Sequence, residues 1–147
     1  MTWTFYRSFD DFTPQHLYDV LKLRQDIFII EQECIYDDID GLDDKSQHLL
    51  LIDEDRIVGY LRIVPPGIKY DEYSLGRILV DQRNRNRGLG KKVVEKGIEI
   101  VKSEGARAIR IEAQAHLENF YKDLGFRSVS EIYSVDDIPH LQMLLTI

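Results

Sequence analysis

The sequence is short of cysteine and has no long apolar run. Its single cysteine, Cys34, excludes an internal disulfide and is typical of a protein kept in a reducing compartment. Apolar stretches such as Ile27 to Ile30 are far too short to cross a bilayer, and the N-terminus lacks the basic and then apolar layout of a signal peptide. We therefore expect a cytoplasmic protein without a membrane partner.

Internal repeats, low-complexity tracts and linkers are also absent from the 147 residues. A chain of this length can form one domain that hides about two thirds of the surface of its unfolded state. Its content of 44% hydrophobic and 31% charged residues is that of an ordinary soluble protein. We expect a single domain over residues 1–147.

Negative charge predominates, with a formal net charge of -7, but it is unevenly placed. Acidic residues exceed basic ones in residues 1–73, whereas residues 74–147 have a small basic excess. This second part contains a basic cluster without any acid: Arg83, Arg85, Arg87, Lys91 and Lys92. No extended basic face accompanies the cluster, which argues against nucleic acid as a partner. A short basic turn in an acidic chain indicates a site for an anionic ligand.

The histidines and the acidic residues do not form a metal-binding pattern. His48, His116, His140 and the acids between Asp37 and Asp44 match no zinc or calcium loop in their spacing. We assign no metal.

The basic cluster lies between an apolar run, Ile78 to Val80, and a segment with helical periodicity. A strand that turns through glycines into a helix directs free backbone N–H groups and the positive end of the helix dipole at one point, which favours phosphate. A Walker loop would need a hydroxyl residue after Lys91, and a dinucleotide fingerprint would need a third glycine where Val93 stands. Both of these phosphate loops are excluded.

Hydrophobic periodicity and turn residues predict a mixed α/β fold in the order β-α-β-β-β-α-β-α-β-β. The expected helices run from Pro14 to about Gln32, from Arg87 to Gly105 and from His116 to Leu124. The expected strands are Trp3 to Arg7, His48 to Asp53, Arg56 to Val64, Tyr73 to Val80, Ile109 to Ala113, Phe126 to Tyr133 and Leu141 to Thr146. Thr13 should cap the first helix, whose inward face includes Arg24, and Gly105 and Gly125 should end the other two. A hairpin should turn at Glu54-Asp55.

Two motifs follow each other along the chain. The basic turn contains Arg85-x-x-Gly88-x-Gly90, and the later region contains Asn119-Phe120-Tyr121 followed by Gly125-Phe126. The sequence thereby resembles the Gcn5-related N-acetyltransferase (GNAT) family over roughly residues 15 to 145. Further segments resemble its ElaA-like branch: Glu31 to Gly41, Gly76-Arg77, Ala113 to His116, and Ile138 to His140. The resemblance implies a central, splayed sheet and a site for acetyl-coenzyme A (acetyl-CoA) as cosubstrate.

Acetyl-CoA is expected at the basic turn. Backbone N–H groups from about Arg87 to Lys91 would bind its pyrophosphate, and Arg85 would add positive charge. The edge of the strand Ile78 to Val80 would pair with the pantetheine arm as a strand pairs with a peptide. The full predicted set is Ile78, Leu79, Val80, Arg85, Asn86, Arg87, Gly88, Leu89, Gly90, Lys91, Asn119 and Tyr121. The alternative is that the glycines only turn the chain.

Tyr121 is the predicted general acid, a role that the resemblance implies for this position. A phenol is protonated at neutral pH and can donate to a departing thiolate; the alternative is a packed core aromatic.

The acceptor amine must lose a proton, and no base is evident from the pattern. His116 is preferred, Glu33 is a further catalytic candidate, Glu31 and Glu112 are weighed beside them, and ordered water could serve instead.

The predicted activity is transfer of an acetyl group from acetyl-CoA to a primary amine by direct attack. The acceptor would be a small molecule or a peptide. One alternative is a non-catalytic acyl-CoA sensor. Another is an acyltransferase like the acyl-homoserine lactone synthases, suggested by Arg24-x-x-x-Phe28 and the acidic loop. Cys34 could be a nucleophile that becomes acetylated. The alternative is a buried thiol, which is the commoner case.

The densest charge run in the chain extends from Glu31 to Asp44 and contains seven acids and no base. In the family this segment borders the acceptor entrance, so the run predicts a negative mouth and a cationic acceptor. The alternative is a solvated acidic loop. The sequence leaves the oligomeric state open, with a homodimer as one outcome.

Overall fold

Eight strands and three α-helices follow one another in the computed structural model, which describes residues 1–147. The strands are β1 (Thr2–Tyr6), β2 (Gln47–Asp53), β3 (Arg56–Val64), β4 (Ser74–Val80), β5 (Ala108–Gln114), β6 (Arg127–Ser128), β7 (Tyr133–Val135) and β8 (Ile138–Thr146). The α-helices are α1 (Pro14–Arg24), α2 (Leu89–Ser103) and α3 (Glu118–Asp123). The predicted mixed α/β class is confirmed. No helix has the length and apolar character needed to cross a membrane.

The strands form two sheets joined by one backbone hydrogen bond. The first sheet is antiparallel in the order β1-β2-β3-β4, and the second has the order β5-β8-β6 with β7 also paired to β8. They meet where the Arg110 N–H donates to the Tyr73 carbonyl at 2.9 Å, beside a parallel bridge between Tyr73 and Ile109. Beyond this contact β4 and β5 separate. The sheet is therefore splayed, as expected, and a wedge opens between the two strands.

Most predicted turns are confirmed by the backbone. The Thr13 hydroxyl accepts from the His16 N–H at 3.2 Å and caps α1. Glu54 and Asp55 have φ values of 49° and 64°, which is the left-handed backbone of a tight β2–β3 hairpin. Gly105, at the end of α2, has a φ of 89°.

The C-terminal strand prediction is wrong in its bounds. The expected strand Phe126 to Tyr133 is interrupted: Arg127–Ser128 pairs with β8 as β6, and Tyr133 pairs with β8 only as the first residue of β7. The Ser130 hydroxyl then accepts from the Gln142 N–H at 2.8 Å, so a side chain replaces the next backbone partner. The chain returns through a separate hairpin of β7 and β8, and β8 begins at Ile138 rather than at Leu141.

The first helical region also differs from the prediction. It does reach Glu31, but α1 ends at Arg24 and the continuation, Gln25–Glu31, is π-helical. Such wide turns are rare and often occur near functional sites.

The first sheet is packed on both faces. Consecutive β2 residues alternate between two apolar clusters: Leu49 and Leu51 pack with α2, whereas Leu50 packs with Val20 and Ile27 of the first helical region. Because side chains alternate across a strand, the two clusters lie on opposite faces. The second sheet packs apolar residues of β5 and β8 against the α2 side. Its other face is mostly polar, with Leu144 beside Arg110.

Buried charges join the segment between the first helical region and β2 to the first sheet. Three arginines and three aspartates pair in an alternating closed ring, hereafter the ionic ring: Arg24, Asp38, Arg77, Asp40, Arg62 and Asp43. Each carboxylate contacts two guanidinium groups, and each guanidinium contacts two carboxylates. The side chains of Arg24 and Arg62 are only 1% and 2% exposed.

The nitrogen–oxygen contacts in the ring are short. Arg24 lies 2.9 Å from Asp38 and 2.7 Å from Asp43, and Arg77 Nε lies 2.8 Å from Asp38 Oδ1. Burial alone would raise the pKa of the Asp43 carboxyl, but hydrogen bonds and positive charge from Arg24 and Arg62 outweigh it and hold that pKa below its usual range.

The acidic run is therefore not the continuous negative mouth expected from the sequence. Three of its members belong to the ionic ring, and Glu31 pairs with Arg85 at 2.8 Å. Glu33, Asp37 and Asp44 are the exposed acids that remain. The expectation failed because the arginines that neutralise the run come from strands distant in sequence.

We predict that Asp38→Asn lowers the free energy of unfolding by about 3 kcal/mol, because it leaves two arginines of a buried ring short of a carboxylate. Urea denaturation followed by circular dichroism measures the change. Asp37→Asn is the matched control at the adjacent, exposed residue, and it should change stability by less than about 0.5 kcal/mol. Equal stability of the two variants would contradict a structural role for the ring.

Candidate active site

A cavity of about 270 Å³ occupies the wedge between β4 and β5. Its walls come from β4, β5, α3, the π-helical segment and the β7–β8 hairpin. Among the predicted site residues, Ile78, His116 and Tyr121 line it together. Residues far apart in the sequence thus meet at the point where the sheets diverge.

The N-terminus of α2 lies beside one end of this wedge. Gly88 caps the helix with a φ of 72°, and no side chain accepts from the first N–H groups of the helix. A Cβ atom at Gly90 would lie 3.9 Å from side-chain atoms of both Val80 and Phe120. The free N–H groups of α2 are therefore next to the end of β4 and to α3, as a phosphate site requires.

The basic side chains around this helix end differ in their partners. Arg85 donates to Glu31 at 2.8 Å and to the Val80 carbonyl at 3.3 Å, so part of its charge is neutralised. Asn86, with a φ of 63°, is exposed on the turn. The exposed cations without an ion pair are Arg83, Arg87, Lys91 and Lys92. These four remain free to attract an anion.

The predicted strand edge exists, but its side chains divide between two directions. A bulge interrupts the pairing of β3 and β4, and Arg77 at the bulge has a φ of 50°. After the bulge, Ile78 lines the cavity, whereas Leu79 packs in the apolar cluster that faces the first helical region. Leu89 of α2 is likewise buried in the core. Only the backbones of Leu79 and Leu89 can therefore take the role predicted for these residues.

Tyr121 combines a buried ring with a free hydroxyl group. The residue is 7% exposed, and its ring packs edge-on against Phe120 and Phe126 at centroid distances of 5.1 Å and 5.8 Å. The hydroxyl makes no hydrogen bond within the chain, yet it keeps contact with solvent in the cavity. Burial raises its pKa to about 12. The tyrosine is thus both a core aromatic and a protonated donor facing the cavity.

Asn119 lies exposed on α3, one of the helices at the wedge, and makes no hydrogen bond within the chain.

The candidate bases occupy different places. His116 lines the cavity on the short turn before α3, but no hydrogen bond orients its ring. Glu33 lies outside the cavity lining, because it follows the π-helical segment in a left-handed turn with a φ of 49° and is exposed. Glu31 is paired to Arg85. Glu112 lines the cavity and accepts from the Tyr133 hydroxyl at 2.7 Å.

Cys34 also lines the cavity and is partly exposed rather than buried. Its Sγ lies 3.8 Å from the Asp136 carbonyl oxygen. The expectation of a buried thiol is wrong here, because the chain after the π-helical segment runs along the cavity rim instead of entering the core.

The polar face of the second sheet was not recognised from the sequence as part of the site. Gln114 pairs with His140, and His140 pairs with Tyr133, so these side chains share one face. The available signal was the alternation in β5, where Arg110, Glu112 and Gln114 occupy every second position. It indicates a strand with one polar face, but not that this face borders a site.

Comparison with known proteins agrees with this architecture. A family profile described as "Acetyltransferase (GNAT) domain" matches residues 10–147. A UPF0039 protein of Synechocystis sp. is 36% identical over 149 aligned positions, covering 100% of this chain and 96% of that protein. The crystal structure of an acyl-CoA N-acyltransferase from Pseudomonas aeruginosa is 33% identical with a TM-score of 0.92, covering 99% of each chain. That of Escherichia coli ElaA is 32% identical with a TM-score of 0.90, covering 98% of each chain.

A more distant structure shares the fold alone. An aminoglycoside 6′-N-acetyltransferase complexed with coenzyme A is 18% identical, with a TM-score of 0.75, covering 99% of this chain and 97% of that chain.

The fold and the wedge define an acyltransferase that uses an acyl-CoA, and the chain belongs to the GNAT family. Its similarity to ElaA assigns it to the ElaA-like branch of that family.

We predict that Gly88→Asp weakens binding of acetyl-CoA at least about tenfold, or about 1.4 kcal/mol, because a carboxylate would stand at the helix end that attracts phosphate. Isothermal titration calorimetry measures the affinity. Gly105→Asp is the matched control at the other end of α2, since both glycines have positive φ and open space around the added Cβ. Unchanged affinity in Gly88→Asp would locate the phosphates elsewhere.

Proposed function

We propose that this protein transfers the acetyl group of acetyl-CoA to a primary amine. The observation that carries the proposal is a convergence: the free N–H groups of α2, the unpaired edge of β4 and the free hydroxyl of Tyr121 all border one wedge. Each of these features suits a different part of an acyl-CoA, namely the pyrophosphate, the amide-bearing arm and the thioester sulfur.

The donor would lie along the wedge in one orientation. Its pyrophosphate would sit on the N-terminus of α2, with Arg87 and Lys91 adding charge from the turn. Its pantetheine amides would bond to the backbone of β4 beyond Gly76, where no strand of the second sheet pairs with it. The thioester would then reach the part of the cavity between Ile78 and Tyr121.

The reaction forms a C–N bond and breaks a C–S bond. The amine nitrogen attacks the carbonyl carbon, the thiolate departs, and the nitrogen loses one proton while the sulfur gains one. With a pKa of about 12, Tyr121 stays protonated over the physiological range, so its hydroxyl is always available as a donor. Because an ordinary thiol has a pKa of about 8.5, the phenol gives its proton to the departing thiolate only as it regains a proton from solvent.

The proposed acceptor is an amine, and the charge on the rest of that molecule depends on the residues that line the cavity. The acidic run gives less support for a cationic acceptor than its composition suggests, because the arginines of the ionic ring neutralise part of it. Glu112 and Asp136 are the acidic residues that line the cavity itself, and Lys69 opposes them. We propose that Glu112 and Asp136 draw in a cationic amine.

We predict that Tyr121→Phe lowers kcat by about 10²-fold, the scale of general acid catalysis, while the affinity for acetyl-CoA stays nearly unchanged. Steady-state kinetics with a fixed amine and calorimetry with acetyl-CoA measure the two quantities. Tyr18→Phe, which removes the hydroxyl of a tyrosine that is 68% exposed, should leave both unchanged. Unchanged turnover in Tyr121→Phe, under conditions where chemistry limits the rate, would reduce Tyr121 to a core aromatic. A non-catalytic sensor would bind acetyl-CoA and acetylate no amine.

The charge of the acceptor can be tested by ionic strength. If exposed carboxylates attract a cation, polyamines should rank first in an amine panel, and their kcat/KM should fall at about 0.5 M salt, where the Debye length drops below about 5 Å. Glu112→Gln should reduce that salt dependence. A neutral or anionic amine as best acceptor would contradict the cationic preference and leave the acetyl transfer itself intact.

A further inference from the structure

One histidine ring is held in a fixed orientation at the cavity. His140 Nδ1 lies 2.7 Å from the Ile138 carbonyl oxygen. A carbonyl oxygen can only accept, so Nδ1 must carry the hydrogen of this bond. In the neutral ring the other nitrogen, Nε2, is then the one with a free lone pair.

This lone pair is available to a ligand. Nε2 of His140 makes no hydrogen bond within the chain and is not fully buried. The residue lines the same cavity as Tyr121 and Ile78. A proton acceptor of defined tautomer therefore faces the space that the thioester and the amine would share.

The backbone of His140 is paired on both sides. Asp136 and Asp137, with φ values of 50° and 63°, form the tight turn of the β7–β8 hairpin. His140 is paired with Tyr133 on one side and with Gln114 on the other. A side chain on a doubly paired strand keeps its position during catalysis better than one on a loop.

The other three histidines lack this combination. His48 uses both nitrogens, bonding to the Tyr60 hydroxyl at 2.6 Å and to the Asp43 carbonyl at 2.8 Å, and it is buried. His16 bonds to the Tyr6 hydroxyl and does not line the cavity. His116 lines the cavity, but it is exposed and no hydrogen bond fixes its tautomer.

We propose that His140 is the general base that takes the proton from the acceptor amine. The assignment rests on the proposed acetyl transfer and names the group that the sequence left open. As the amine nitrogen bonds to the thioester carbon, one N–H proton passes to His140 Nε2. The C–S bond breaks, and the thiolate takes a proton at the Tyr121 hydroxyl, which is reprotonated from solvent. The imidazolium then returns its proton to solvent.

The cavity that His140 lines contains charged residues of both signs. Glu112 on β5 and Asp136 in the hairpin turn are acidic, and Lys69 of the β3–β4 connection is basic. Arg77 also lines the cavity, but the ionic ring neutralises its charge. The remaining titratable residues around the cavity are Cys34, Tyr36, His116, Tyr121 and the strand partner Tyr133.

The test compares His140→Ala with His16→Ala in the whole 147-residue chain. We expect kcat to fall about 10²- to 10⁴-fold in His140→Ala, the range for loss of a general base, with unchanged calorimetric affinity for acetyl-CoA. Added imidazole should restore part of the rate by entering the vacated space. His16→Ala, at a histidine outside the cavity, should lose less than about threefold and gain nothing from imidazole. A rate in His140→Ala equal to that of the parent, or a large loss without rescue, would overturn the assignment.

A measurement on the parent protein tests the assignment without a variant that could misfold. Nitrogen-15 NMR of the imidazole rings should find His140 in the form protonated at Nδ1, and the opposite tautomer would overturn the proposal. Two failures can be told apart. If the parent acetylates amines and His140→Ala is equally active, only the base assignment falls. If the parent binds acetyl-CoA but acetylates no amine, the acetyl transfer falls and the base assignment with it.

Discussion

The separation of β4 from β5 is the constraint on which the site depends. One hydrogen bond, from the Arg110 N–H to the Tyr73 carbonyl, joins the two sheets, and the strands then diverge. Buried backbone groups need partners, so the unpaired edge beyond Gly76 favours a ligand that carries amide groups of its own. The wedge also admits solvent to the Tyr121 hydroxyl while the ring stays in the core. The proposed donor site and the proposed proton donor are thus two consequences of one interrupted sheet.

The ionic ring holds one side of this wedge. Arg77 stands at the β4 bulge in a left-handed backbone conformation, and its guanidinium is fixed between Asp38 and Asp40. Buried ion pairs often add little net stability compared with apolar packing, but removing one partner leaves an uncompensated charge. We infer that the ring serves mainly to fix one arrangement: it links α1, the segment before β2, and strands β3 and β4, so the bulge cannot shift without breaking buried pairs.

Much of the fold could be predicted because its signals are local. The hairpin at Glu54-Asp55, the cap at Thr13 and the glycine that ends α2 depend on neighbouring residues, and the structure has them as expected. Arg24 was correctly placed on an inward helical face, where a lone arginine among apolar positions signals a buried ion pair. The C-terminal hairpins were misread because a serine hydroxyl, not the strand pattern, ends the pairing of β6. The basic turn could be predicted as a site because its glycines and charges are consecutive.

The sequence by itself determined the class of most elements, the helix N-terminus with its basic turn and the tyrosine that follows it. Each of these rests on residues within a few positions of one another. Only the tertiary structure decided which acidic side chains face solvent without an arginine partner, and which side chains line the cavity together. Asp43 is neutralised by arginines from a helix and a strand, and His140 and Tyr121 line one cavity because the two sheets diverge there. Pairings over such long separations depend on the packing of whole elements, and no local pattern encodes them.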